Sequence, residues 1–158
     1  MINDAVIDST GMYRYSLWRI WDANLPKVLF VMLNPSTADH KEDDPTIRRC
    51  IGFAKAWGYG SLEVVNLFAY RATNPDELKK CTDPIGPDND MHIRRAALQT
   101  DRIVLAWGTK GGLYGRDRKV KELLSSFAWV YCLDLSKEGH PKHPLYISAN
   151  CEPKLITA

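Results

Sequence analysis

"VLFVMLNPSTAD", residues 28–39, sets six apolar side chains directly ahead of Asn34, Pro35, Ser36 and Thr37. The run 28–33 is rich in Val, Leu and Phe and shows no polar alternation, which suits a central strand buried on both faces. It passes without a break into a polar loop, 34–44. Either the strand simply ends in a turn, or a buried strand delivers polar groups to a working site.

Upstream, "MYRYSLWRIW", residues 12–21, alternates loosely between aromatic and polar and reads as an edge strand or hairpin. Downstream, a helix starts at Asp44 and Pro45, a residue suited to capping followed by one suited to the first helical position. Ile47, Ile51, Ala54 and Trp57 recur at helical spacing, and Gly58 and Gly60 stop the helix. "LEVVNLF", 62–68, is a second strand, and Asn74-Pro75 opens a short helix through Lys80. A helix over 88–100 precedes a third strand, "RIVLAWG", 102–108. "RDRKVKELLSSF", 116–127, is a helix with Val120, Leu123, Leu124 and Phe127 on its apolar face. A fourth strand, "WVYCLDL", 129–135, leads into "SKEGHPKHPLYI". Apolar strands alternating with amphipathic helices predict one α/β domain over 1–158. The expected architecture is a three-layer α/β/α fold with a mainly parallel four-stranded central sheet, an N-terminal edge strand or hairpin, and tails at 1–10 and 149–158.

A chain of 158 residues, 45% hydrophobic and 25% charged, is ordinary for a globular domain. A net charge of +2 makes no case for a polyanionic partner, so any such case must come from local clusters. No apolar run approaches the roughly 20 residues of a membrane helix. The polar start "MINDAVIDST" is no signal peptide, so no membrane association and a cytoplasmic location are expected. Cys50, Cys81, Cys132 and Cys151 lie far apart with no CxxC pair and read as reduced thiols. No metal and no cofactor are expected.

Each strand ends in an unusual polar segment: "NPSTAD", "NLFAYRAT", "WGTKGG" and "SKEGHPKHP". In parallel sheets ligands bind beyond the carboxyl ends of the strands, so the four segments are expected to form one cleft. Asn34, Ser36 and Thr37, beside Pro35, are either turn residues or groups that hold a water or a ligand edge. Asp44 is either a helix cap or, with Asp39, a catalytic carboxylate. Arg48 and Arg49 sit in a first helical turn, where the dipole disfavours cations; pairing with Asp43 or Asp44, or binding a phosphate, would relieve that. Asn66 interrupts an apolar strand. Its amide either bonds a neighbouring segment or presents a donor and an acceptor side by side, as reading a base edge requires. Tyr70 and Arg71 follow it as candidate substrate contacts. Trp107, Gly108 and Lys110 end the third strand, without the spacing of a P-loop. His140 and His143 lie in a proline-stiffened loop after the fourth. Arg116, Arg118, Lys119 and Lys121 make a solvated helix face or a phosphate-tracking one.

Taken together, "YRYSLWRIWD", "MLNPSTAD", "DPTIRRC", "VVNLFAYRAT", "AWGTKGG" and "GHPKHPLY" closely resemble DUF1643, a bacterial and phage family of uncharacterised domains. That family name carries no activity. More distantly, the chain resembles the uracil-DNA glycosylase superfamily. "MLNP" is similar to that superfamily's first-strand motif in its asparagine form, but the motif's preceding glycine is missing and Leu33 precedes Asn34. Asn66, Trp107-Gly108 and "HPKHPLY" fall where the superfamily has a base-reading asparagine, a tryptophan-glycine and a histidine-proline motif. The resemblance implies hydrolysis of an N-glycosidic bond to a base, possibly a modified one, in nucleic acid or a nucleotide. Asn34 would position water, or Asp39 or Asp44 would do that work. Asn66 would hold the base, and His140 or His143 would stabilise it as it leaves. Arg48, Arg49 and Lys110 would hold phosphates. The alternative is a non-catalytic nucleic-acid or nucleotide binding module on the same fold. Oligomeric state is left open.

Overall fold

The computed structural model describes residues 1–127 and 130–156. In chain order the regular elements are β1 (Ile2–Ile7), β2 (Arg14–Ile20), β3 (Lys27–Met32), α1 (Pro45–Ala56), β4 (Ser61–Asn66), α2 (Asn89–Leu98), β5 (Arg102–Leu105), α3 (Arg116–Leu123), β6 (Val130–Cys132) and β7 (Lys154–Leu155). The short helix expected after Asn74 is a 3-10 turn, Pro75–Lys79. Trp129, the expected start of the fourth strand, and residues 157 and 158 of the expected tail lie outside the described residues.

All the strands join one sheet in the order β1-β2-β4-β3-β5-β6-β7. β3 pairs in parallel with β4 and β5, and β5 with β6; β1–β2, β2–β4 and β6–β7 are antiparallel. The expected four-stranded, mainly parallel sheet is therefore corrected to a seven-stranded mixed one. The uracil-DNA-glycosylase-like layout built on that sheet is withdrawn with it.

Two physical reasons account for the difference. The alternation in "YRYSLWRIW" does not mean one wet face, because the polar members are buried and bonded. Ser16 Oγ donates to Glu63 Oε2 at 2.5 Å, and Glu63 also pairs with Lys27 at 2.5 Å. β2 is thus an interior strand, in register with β4 through Leu17 opposite Val64, and β1 covers its other side. Both segments expected as tails also contribute strands, β1 and β7. β7 is drawn in by Lys154, whose ammonium sits 3.1 Å from Asp134.

The continuous apolar run explains itself in the packing. Val28, Phe30 and Met32 of β3 face α1, with Val64, Val104, Phe53 and Ile47. Leu29, Val31 and Leu33 face α2 and α3, with Val65, Leu105, Ile93 and Val120. Full burial of each such side chain stabilises the fold by about 1.5–3 kcal/mol, so both faces of β3 must be apolar. Continuation bonds hold the carboxyl ends of three strands together. Leu67 and Phe68 N–H donate to Met32 and Leu33 carbonyls at 2.9 and 3.0 Å, and Ala106 N–H donates to the Val31 carbonyl at 2.9 Å. Among the described residues no helix is long and apolar enough to cross a membrane.

Candidate functional site

A cavity of about 450 Å³ opens where β3, β4 and β5 end. Asn34, Ser36, Asn66, Trp107, Gly108, Lys110 and His143 line it, together with Asp44 from the start of α1. Arg14, Thr46 and Tyr146 also line it.

Asn66 forms the most unusual part of the wall. Its residue is 1% exposed, and among the described residues neither its amide nitrogen nor its amide oxygen has a hydrogen-bond partner. A buried, unmatched amide costs several kcal/mol in an apolar setting, and buried polar groups are normally satisfied. The backbone at this point is held firmly. Asn89 Nδ2 donates to the Asn66 and Leu67 carbonyls at 2.9 and 3.1 Å. Arg116 Nε donates to the Leu67 carbonyl at 2.9 Å, and its Nη2 pairs with Asp90 at 2.8 Å. Arg116 is therefore a buried clamp on the end of β4, not part of a solvated or phosphate-tracking face.

Asn34 is oriented by its own amide nitrogen, which donates to the Pro35 and Ala72 carbonyls at 3.0 and 2.8 Å. That leaves its Oδ1 as an acceptor for a water or a ligand. Asp44 caps α1: Oδ1 accepts from Ile47 N–H at 2.9 Å and Oδ2 from Ala38 N–H at 3.3 Å. Its capping use and its place on the cavity wall coexist.

His143 reaches the cavity from a loop anchored to β5. Gly108, in the left-handed region at φ +81°, donates its N–H to the Pro141 carbonyl at 2.7 Å. His143 Nδ1 accepts from Leu145 N–H at 3.2 Å. The neutral ring therefore carries its proton on Nε2, a donor. Burial pushes the His143 pKa below 6.5, with Asp44 opposing the shift, so the neutral ring prevails at pH 7. Trp107 is fixed by Gly111, where an added Cβ would lie 2.4 Å from its Cδ1. Lys110 stands at the mouth, 3.9 Å from Asp76. A second cavity of about 290 Å³ shares Leu33, Pro75 and Lys110 with the first.

Other expected site residues are placed elsewhere. The Asp39 carboxylate accepts from Lys41 and Glu42 N–H, both at 2.8 Å, and shapes its own loop. Arg48 is exposed and donates to the Asp43 carbonyl at 3.2 Å. Arg49 donates to the Ile147 carbonyl and lies over Phe53, tying α1 to the C-terminal segment. Tyr70 packs edge-on to Tyr13, and Arg71 donates to the Gly11 carbonyl at 3.3 Å. His140 turns to Glu138, 3.6 Å away. Pro35 and Thr37 flank the cavity without lining it.

Sequence reasoning missed Arg14. An arginine at the start of an otherwise aromatic-rich strand was the available signal. Burial pushes its pKa down to about 10, opposed by Asp44, so it stays charged at neutral pH. Among the described residues no three His, Cys, Asp or Glu side chains gather as a metal site.

No curated protein and no solved structure matches the chain. A family model described as "Protein of unknown function (DUF1643)" matches residues 14–145, a span that takes in β2 through the histidine loop and every residue lining the cavity except Tyr146. The chain belongs to the DUF1643 family.

Proposed function

We propose that the cavity receives a nucleobase and that the protein hydrolyses the N-glycosidic bond joining that base to its sugar, in a nucleotide or a nucleic acid. The unmatched Asn66 amide carries this reading. A donor and an acceptor held side by side on a buried wall complement the edge of a base, where a carbonyl and an N–H lie side by side. Cleavage adds water to the anomeric carbon while the bonding pair leaves with the base. Asn34 Oδ1 is free to orient that water, and the His143 Nε2 proton can meet the charge that builds on the departing base. Base chemistry in a duplex would require flipping.

A second reading, binding without turnover, is favoured by one observation. Both oxygens of Asp44, the carboxylate on the cavity wall, already accept backbone N–H groups, so this side chain is engaged in holding the start of α1 and the loop before it. A panel of modified bases, offered as nucleotides and in single- and double-stranded oligonucleotides, separates the two. Base release by the wild type that falls at least about tenfold in Asn66→Ala and His143→Ala supports hydrolysis. Binding without release supports the second reading. Absence of both defeats the nucleobase assignment.

A further inference from the structure

Three arginines are buried in this fold, and they are not alike. Arg19 pairs with Asp43 at 2.8 Å and also donates to the carbonyls of Asp4, Trp18, Asp39 and Glu42. Arg116 pairs with Asp90 and holds the Leu67 carbonyl. Arg14 is 2% exposed, yet among the described residues no carboxylate lies within ion-pair distance of it. Among the described residues its one side-chain bond runs from Nη1 to the Ala38 carbonyl at 2.9 Å, and its Nε has no partner. It is also the only one of the three that lines the cavity. A buried cation without a paired anion is strongly unfavourable. Asp44 lies near enough to favour the charge without touching it.

We infer that Arg14 is a ligand-binding residue, and that the occupant of the cavity brings an anionic oxygen to its free guanidinium edge. An arginine fork suits such oxygens because two N–H groups point the same way. In the nucleobase reading, on which the identity of the occupant rests, this oxygen has two sources. It is the phosphate of a mononucleotide whose base lies on Asn66, or a base oxygen that accepts from the guanidinium fork in the bound nucleoside and becomes anionic as the base leaves.

Binding of the common deoxynucleosides, deoxyuridine included, is compared with that of their 5′-monophosphates and of inorganic phosphate, using wild type, Arg14→Met and Arg14→Lys. A phosphate source predicts wild-type preference for the monophosphate of at least about tenfold, erased in Arg14→Met. A base-oxygen source predicts equal weakening of nucleoside and monophosphate by the same factor. Either result supports the inference. Affinities within about twofold of wild type for every probe in Arg14→Met would overturn it. If no nucleoside or nucleotide binds the wild type, the nucleobase reading falls. The anion site then stands only if inorganic phosphate raises the melting temperature of wild type and not of Arg14→Met, and is overturned otherwise. Should Arg14→Met fail to fold, Arg14→Lys decides. It keeps the charge but loses the fork, and is expected to lose most of the preference; full retention overturns the assignment.

Discussion

Two buried polar clusters lie on either side of the loop 34–44, and they are built on opposite principles. On one side Arg19 gathers Asp43 and four backbone carbonyls, so that every strong donor is matched. On the other side Asn66 leaves both amide atoms unmatched and Arg14 leaves Nε free. Arg19, Arg14 and Asn66 are each at most 2% exposed, so a difference in burial does not explain the contrast. A matched cluster fixes the loop. An unmatched one, bordering a cavity, is completed by whatever enters it.

The largest expected effect falls on the matched side. Arg19→Met strands several buried carbonyls and the Asp43 carboxylate, and should destabilise the fold by about 3–5 kcal/mol, read from urea unfolding. The contrast breaks if Arg19→Met costs no more stability than Arg14→Met. On the unmatched side Asn66→Leu replaces an unsatisfied amide with an apolar group of similar size. Its stability should stay level or rise by about 1–2 kcal/mol, while binding of nucleobases and nucleotides is lost. Destabilisation by Asn66→Leu would mean that the amide already has its partners.

The smallest effect concerns pH. Because the folded His143 pKa lies below 6.5, the unfolded chain binds a proton that the folded chain refuses in the window between the two values. Stability should therefore fall as pH drops through that window, and level off below the folded value. His92, also lowered by burial, contributes in the same direction. His143→Gln should remove only part of the slope, measured as the urea midpoint against pH. An unchanged slope would show that the His143 ring titrates as if exposed.

Much of the cavity was legible because its parts follow strands. Asn34, Asn66, Trp107 and His143 each come after an apolar run, and parallel pairing brings such ends to one edge. Residues further along the same polar segments were less predictable. Asp39, Arg48, Arg49 and Arg71 have the right chemistry for a site, but local turns and loop carbonyls claim them. His140 and His143 could not be separated by spacing, since the choice depends on the Gly108–Pro141 bond between two distant loops. Arg14 was invisible as a site residue because its strand was read as an edge.

Local grammar is legible along the chain: where β3 had to be buried on both faces, where Asp44 and Pro45 start α1, and which strand ends carry polar groups. Those features rest on periodicity and capping, which act over a few residues. The folded arrangement sets what that grammar leaves open: a sheet that is seven-stranded and mixed, with β2 inside it. It alone decided which buried arginine lacks a counter-charge. Strand neighbours and charge partners are fixed by contacts between residues far apart in the chain, such as Ser16 with Glu63 and Arg19 with Asp43, and a linear pattern does not record them.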